Sequence, residues 1–189
     1  MTRGPAESIR WPGLVWGYDC TNAGVASVRE ADLAEAPWAA EGFRWLHLNL
    51  SDQRSRRWLT SVAALPDSVT EMLLSNDEHS RYLIDGALVC GILTDIRQEF
   101  QGDETEIGAI RFALGPAMMI TARTHPVRCA DICRQRIVSG PHPLDAASAL
   151  DVLLGSMSEV HRSTVAGMDE AVQEMEYDLL RDRPSPGPL

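Results

Sequence analysis

The sequence predicts an α/β or α+β protein in which a mixed β-sheet carries helices and a long helical segment follows it. Three features of the 189-residue chain support this prediction. Apolar residues alternate with a period of two in the segments 14–20, 43–50 and 81–122, which is typical of strands. Around these segments, apolar residues recur every three to four positions, which is typical of amphipathic helices. The longest helical pattern runs from residue 144 to about residue 182.

Composition and charge exclude several classes of function. Hydrophobic residues make up 44% of the chain and charged residues 23%, as in ordinary globular proteins. The formal net charge of −10 would repel nucleic acid and anionic membranes on average, so we expect neither as a direct partner. We identify no signal peptide, and the longest strongly apolar run, 87–93, is too short for a bilayer. We expect the four cysteines to be free thiols and not disulfide-bonded; they are Cys20, Cys90, Cys129 and Cys133.

The N-terminal part contains two strands separated by a loop. Residues 1–12 are polar and contain two prolines, so we predict a flexible terminus. The segments 14–20 and 43–50 are predicted strands. The acidic, alanine-rich segment 29–42 between them is predicted to be a loop with a helical turn.

Two helices are predicted after the second strand. Asp52, or its neighbour Ser51, can cap the first of them. The second helix lies within 65–77, and Pro66 fits a position in its first turn. Its apolar face has the spacing i, i+3, i+4 and is formed by Val69, Met72 and Leu73.

Residues 81–122 are predicted to form three or four consecutive strands. Their turns are expected at Asp85–Gly86, Gly102–Asp103 and Gly115–Pro116. The strand around 87–93 has apolar residues on both faces, which predicts a place in the middle of a covered sheet.

A helix is predicted over residues 125–140, with Pro126 just inside its start and Gly140 past its end. The following helical segment ends in a coiled-coil-like stripe that would suit a partner helix. The stripe steps by three and four and consists of Val165, Met168, Val172, Met175 and Leu179. We therefore divide the chain into a flexible N-terminus (1–12), an α/β domain (13–142), a helical segment packing on it (143–182) and a disordered tail (183–189).

Histidine and cysteine residues are the first candidates for a metal site. His47 lies in a strand without companions at a ligand spacing, so we interpret it as a histidine hydrogen-bonded at the sheet surface. His125, Cys129 and Cys133 have the spacing i, i+4, i+8, which a zinc site on one helix would also have. A single helix face cannot close a tetrahedron, and Pro126 disfavours helical geometry at His125. We therefore favour packing as the role of both cysteines.

No nucleophile elbow, phosphate-binding loop or dinucleotide-binding motif occurs in the sequence, so we predict no enzymatic activity. Glu170, Glu174 and Asp178 form an acidic ridge, for which we favour a solvated helix face over a cation contact. Asp67 and Glu71 are one helical turn apart, so both carboxylates point the same way, and the same two interpretations apply.

Four stretches, taken together and in order, resemble a known family. They are WLHLNLSDQRSRRWL with LPDSVTEMLL, then SRYLIDGALVCGIL, then EIGAIRFALGPAMMITART, and finally MDEAVQEMEYDLLRD. Their succession over Leu14 to Asp182 resembles the cytoplasmic domain of CorA-type divalent-cation transporters, and most closely the ZntB-like zinc transporter branch. The pore signature Gly-Met-Asn and the two C-terminal membrane helices of that family are absent from this sequence.

The resemblance implies a fold, an assembly and a site. It implies an α/β/α sandwich with a largely antiparallel sheet, and a long helix leading toward a stalk and membrane domain that this sequence lacks. It implies a homopentamer for a full-length protein, with divalent ions bound between neighbouring cytoplasmic domains to favour the closed pore. Glu71 corresponds to an acidic ligand of that family site, and Asp67 lies one turn away. The partner carboxylate would lie on a later helix.

These implications define our expectations about function. We expect a soluble domain at the cytoplasmic face of a cell membrane, with Zn²⁺ or Mg²⁺ as partner and no firmly bound cofactor. The isolated chain is expected to be a monomer or dimer and to bind Mg²⁺ in the millimolar range or undetectably. The alternative is a stand-alone soluble protein that binds a partner helix. A zinc enzyme using His125, Cys129 and Cys133 is a third, weaker hypothesis.

Overall fold

The computed structural model describes residues 13–29, 32–33, 38, 41–97, 106–140 and 144–181. The predicted flexible N-terminus, the predicted turn at Gly102–Asp103 and the predicted disordered tail lie outside these residues. The strands are β1 (Leu14–Thr21), β2 (Gly24–Ser27), β3 (Phe43–Asn49), β4 (Arg81–Asp85), β5 (Leu88–Ile96), β6 (Ile107–Gly115) and β7 (Met118–Arg123). The longer helices are α1 (Gln53–Ser61), α2 (Asp67–Leu74), α3 (Arg128–Ser139) and α4 (Ala146–Arg181).

All seven strands form one mixed sheet, in the order β2-β1-β3-β7-β6-β5-β4. Only the central pair β3–β7 is parallel among the strand pairs that the structure describes. Between β3 and β7 the chain passes through two helices and three strands before it returns beside β3, as a parallel pair requires. The predicted mixed and largely antiparallel sheet is therefore confirmed.

Helices cover both faces of the sheet. Successive side chains of β3 point to opposite faces, so Leu46 and Leu48 pack with α1 and α2, in the core that contains Trp58 and Leu73. Trp45 instead enters the opposite core, which α3 and the first part of α4 close. The α/β/α sandwich that the family resemblance implied is confirmed.

The segment 81–122 was predicted to form three or four strands, and the structure has four. In β5, Cys90 and Ile92 belong to one core, and Val89 and Leu93 pack against the other. The strand is covered on both faces, but its position is second from the edge, because β4 pairs with its outer side. The centre of the sheet is β7, so the prediction of coverage was right and that of a middle position was wrong.

Some local sequence signals predicted the ends of helices correctly, and others did not. Asp52 caps α1 by accepting the backbone N–H of Arg54, and Gly140 ends α3, as predicted. Helix α3 begins at Arg128 and not at Pro126, because Val127 is held in extended conformation by a β-bridge to Arg97. Strand β2, which pairs with β1 in a short hairpin, was not predicted, because its four residues are too few for a periodic pattern.

The 36-residue helix α4 has two unlike halves. Its first half, residues 146–160, packs on the sheet through buried residues that end at Val160. We call residues 165–181 the arm, and every residue of the arm is exposed. The predicted stripe therefore lies in the open, with exposed fractions of 57% (Val165), 59% (Met168), 50% (Val172), 58% (Met175) and 73% (Leu179).

Candidate functional site

Asp67 and Glu71 lie on the outer face of α2. The opposite face is buried through Val69, Met72 and Leu73, so the helix can present its carboxylates only to solvent. Both acidic side chains are exposed, and among the described residues neither carboxylate makes a hydrogen bond or an ion pair. The structure thus places the two predicted ligands one turn apart, with their oxygens free for a cation.

Both ends of α2 are held in place. Near its start, the hydroxyl of Ser68 donates a short hydrogen bond to the carboxylate of Asp85, at the end of β4. At its end, the buried guanidinium of Arg111 donates from two nitrogens to the carbonyl oxygen of Ser75, at 3.1 and 2.9 Å. A cation at this position suits the negative end of the helix dipole. The helix is therefore joined to the sheet by hydrogen bonds near both of its ends.

Two carboxylates do not complete a cation site. Magnesium is held in near-octahedral geometry with several waters, and zinc in proteins usually takes four ligands. Within the residues that the structure describes, no group of three or more His, Cys, Asp or Glu side chains could hold a metal ion. Nearby Asp77 is engaged by Arg81 and by His79, whose hydrogen bonds lower the pKa of Asp77 to about 2. Further ligands would have to come from outside one chain's described residues.

The cysteine pair is part of the core. Cys129 and Cys133 are buried against the sheet, whereas His125 is exposed and precedes α3 by three residues. The contact with Cys133, then burial and the negative charge of Asp95, raise the pKa of the Cys129 thiol. Both thiols lie in the hydrophobic core between α3 and the sheet, whereas His125 is exposed, which supports the packing interpretation over a zinc site with His125.

His47 is fully buried, deeper than the sheet-surface position that we expected. Its Nδ1 lies 2.9 Å from the hydroxyl of Thr121, so the expected hydrogen bond is present. Its ring stacks on Trp16, with centroids 4.9 Å apart. Burial, with a smaller contribution from the charge of Arg123, lowers the pKa of His47 to about 3. A neutral, packed imidazole at the centre of the sheet is a structural residue.

The arm carries a second set of exposed carboxylates. Glu170, Glu174 and Asp178 are all exposed, beside the apolar stripe of the same helix. The combination of an apolar stripe and an acidic ridge is the pattern of a helix that packs against another helix. Among the described residues, no helix is long and apolar enough to cross a membrane.

Comparisons with known proteins agree on the fold. The chain superposes on the full-length CmaX protein with a TM-score of 0.76 and 20% identity, covering 92% of this chain and 54% of that one. It matches the ZntB cytoplasmic domain from Vibrio parahaemolyticus RIMD 2210633 with a TM-score of 0.67 and 15% identity, covering 86% of this chain and 64% of that one. Both likenesses are to proteins of low sequence identity and show that the chain shares their fold.

A family model and a curated relative give the family. The model of the CorA-like Mg²⁺ transporter protein matches residues 40–188, so the chain belongs to this family. The sequence is 25% identical over 183 residues to a zinc transport protein ZntB from Pectobacterium carotovorum subsp. carotovorum (strain PC1), covering 95% of this chain and 54% of the relative. The chain thus spans about half the length of that relative. The family predicted from four short stretches is confirmed.

Proposed function

We propose that this chain is the cytoplasmic regulatory and assembly domain of a divalent-cation transporter. Its family and its fold support this proposal. The strongest support comes from the exposure of the arm, because each of the five apolar residues of its stripe is at least half exposed. Such a surface is costly to leave in water and is typical of a helix that is covered in an assembly. The membrane segments would belong to the remainder of a longer protein.

Transport is tested by reconstitution. A protein that contains residues 1–189 together with its membrane segments is incorporated into liposomes, and ion entry is followed with zinc-sensitive and magnesium-sensitive dyes. We expect zinc entry, because curated relatives are named zinc transport proteins. Entry of magnesium alone would support a divalent-cation transporter and would show that the transported ion is not zinc. Absence of entry of any divalent cation would contradict the proposal.

We further propose that Glu71 and Asp67 form one half of a regulatory cation site between neighbouring domains. Their free, exposed carboxylates on a helix that is anchored at both ends support this role. Oxygen ligands from a neighbouring copy would complete the coordination that two carboxylates leave open. A cation bound in this way stabilises only those assembly states in which the two halves meet, which is what regulation requires.

Calorimetry on the isolated chain separates this site from adventitious binding. We expect Mg²⁺ affinity in the millimolar range or below detection, because one chain supplies only half of the ligands. In the assembled protein, Glu71→Ala should weaken cation binding, whereas Asp151→Ala, at an exposed carboxylate on the first half of α4, should not. Tight, stoichiometric Mg²⁺ binding to the isolated chain that Glu71→Ala leaves unchanged would overturn the site assignment.

For the assembly we propose a homopentamer in the complete protein and a monomer or dimer for residues 1–189. The stripe of the arm is the proposed contact, and packing of apolar residues at a 3,4 spacing favours a helical neighbour. Sedimentation velocity gives the mass of both forms. A complete protein that sediments as a monomer in detergent would contradict this proposal.

The exposed stripe also favours a second candidate function. A soluble adaptor that binds an amphipathic helix of an unrelated protein would present the same surface. The two functions differ in what the arm binds. The transporter proposal places a helix of the same assembly on the stripe, whereas the adaptor would bind a heterologous helix and transport nothing. For neither candidate do we propose a catalytic role.

A further inference from the structure

Asp95 places a carboxylate at a junction of three elements. It lies in β5, its side chain is fully buried, and it faces α3 and α4. Its Oδ2 accepts the backbone N–H of Cys129 at 3.1 Å, in the first turn of α3. Val127, the residue that precedes this helix, makes no capping hydrogen bond with its side chain. Asp95 therefore supplies from the sheet the negative charge that favours a helix N-terminus.

The second oxygen of Asp95 faces α4. Within the described residues, this buried Oδ1 has no hydrogen-bond partner. The Nε2 of His161 lies 4.0 Å away, and the His161 side chain is 46% exposed. His161 directly follows Val160, the last buried residue of α4. The contact is thus located where the helix stops packing on the domain and continues toward the arm.

We propose that Asp95 and His161 form a protonation-sensitive clasp that fixes the point at which the arm leaves the domain. A protonated imidazole donates a charge-assisted hydrogen bond, which is stronger than the bond from a neutral ring. Histidine is the side chain that ordinarily changes charge between pH 5 and 8. The distance between His161 Nε2 and Asp95 Oδ1 would have to shorten by roughly 1 Å to reach hydrogen-bond length. Rotation of the half-exposed His161 ring would supply this shift. A buried carboxylate oxygen without a partner is costly, so this closure stabilises the fold.

Other charged and titratable groups surround the clasp. On α3 these are Cys129 and Cys133, and Arg136 of α3 pairs with Glu159 of α4 at 2.6 Å. Contact with Cys133 and burial raise the pKa of Cys129, which keeps that thiol neutral. Guanidinium and carboxylate groups ordinarily keep their charges between pH 5 and 8. The contact with Cys129 lowers the pKa of Cys133. Variants of His161 therefore separate the protonation of His161 from that of Cys133.

The consequence concerns the arm. Protonation of His161 would hold the last packed turn of α4 and so define the direction in which residues 165–181 project. Loss of the proton would release that turn while the rest of the helix stays packed through Leu153 and Met157. The clasp would therefore make the orientation of the arm respond to pH, whichever cation the assembly handles.

Hydrogen exchange on the full 1–189 chain tests the clasp. Amides 157–164 are compared at pH 5.5 and 8.0, after correction for the intrinsic pH dependence of exchange. We expect protection about tenfold higher at pH 5.5, as for a hydrogen bond to a charged group. His161→Gln should remove this difference and leave Leu153 protected. Glu159→Gln, which breaks the neighbouring ion pair, should retain it.

Two results would overturn the proposal. One is equal corrected protection at both pH values in the unmodified chain. The other is a pH difference that persists in His161→Gln, which would assign it to another group. Asp95→Asn should also remove the difference, and if this variant does not fold, His161→Gln decides alone, since its side chain is half exposed.

Discussion

The two halves of α4 have similar apolar spacing and different environments. In residues 146–160, Ala149 and Leu153 are fully buried and Val160 is 4% exposed. In the arm, Met168 and Leu179 are 59% and 73% exposed, although the apolar spacing is as regular. The difference teaches that periodicity identifies an apolar face of a helix but does not show which surface, if any, packs on that face. The first half is covered by the sheet and α3, and the arm by no described residue of this chain.

The largest expected effect is a difference in the free energy of unfolding between matched substitutions in the two halves of α4. Leu153→Ala removes a fully buried side chain from the core and should lower the free energy of unfolding by about 2–5 kcal/mol. Leu179→Ala makes the same chemical change on the arm and should alter it by less than about 0.5 kcal/mol. Urea denaturation followed by circular dichroism measures both. Equal losses would mean that the arm is packed on the domain in solution.

Acid should act on the packed region through His47. Its pKa is lowered to about 3 by burial, so between pH 6.5 and 3 the unfolded chain binds a proton that the folded chain does not. The stability contributed by the neutral ring is complete above pH 6.5 and should fall by about 1.4 kcal/mol per pH unit below it. Denaturation at a series of pH values measures the slope.

The control for acid sensitivity is the exposed His125. His125→Gln should keep the slope, and His47→Gln should lose the part that His47 contributes. A slope that is unchanged in His47→Gln would show that another buried group causes the acid sensitivity.

The assembly prediction tests the arm directly. Met168→Lys combined with Met175→Lys places charges in the stripe and should weaken association of the complete protein about tenfold or more, because apolar burial is lost at both positions. Ile84→Lys is the control, since Ile84 is 68% exposed and lies on the edge strand β4 and not on the arm. Sedimentation over a concentration series gives the dissociation constants. Equal effects of both changes would contradict a specific contact at the stripe.

The sequence predicted the elements of the fold better than their contacts. Alternation identified six of the seven strands, and Asp52 and Gly140 marked helix ends, because these signals are local. The four residues of β2 were missed, and the start of α3 was placed too early because a distant partner, Arg97, holds Val127 extended. The sheet order could not be predicted, since it depends on which strands meet across long loops.

The candidate site residues show the same contrast between local spacing, which the sequence predicts, and distant contacts, which it does not. Helical spacing placed Glu71 and Asp67 on one face, and the structure confirms that face as exposed. Asp95 was missed because it lies within an apolar strand pattern, and its partner His161 is on another element. The only signal in the sequence was a carboxylate between Thr94 and Ile96, in a strand otherwise covered on both faces. Such a residue needs a buried partner, but the partner cannot be found by spacing.

The smallest expected effect compares two glycines of α4. A Cβ at Gly167 meets no atom within 4 Å, so Gly167→Ala should raise arm helicity with a gain of up to about 1 kcal/mol. At Gly155, a Cβ would lie 2.8 Å from the guanidinium of Arg136, so the same gain should be partly offset by displacement of that side chain. Exchange of arm amides and the midpoint of urea unfolding separate the effects. A raised midpoint of urea unfolding in Gly167→Ala would show that the arm unfolds together with the domain.

We propose that the arm is the surface through which this domain contacts the other parts of a transporter assembly. The most direct test measures hydrogen exchange along α4 in the 1–189 chain and in the complete membrane-embedded protein. We predict protection that drops after Val160 in the isolated chain, and arm amides that become protected in the complete protein while residues 146–160 stay unchanged. Arm amides that exchange equally fast in both would contradict the claim.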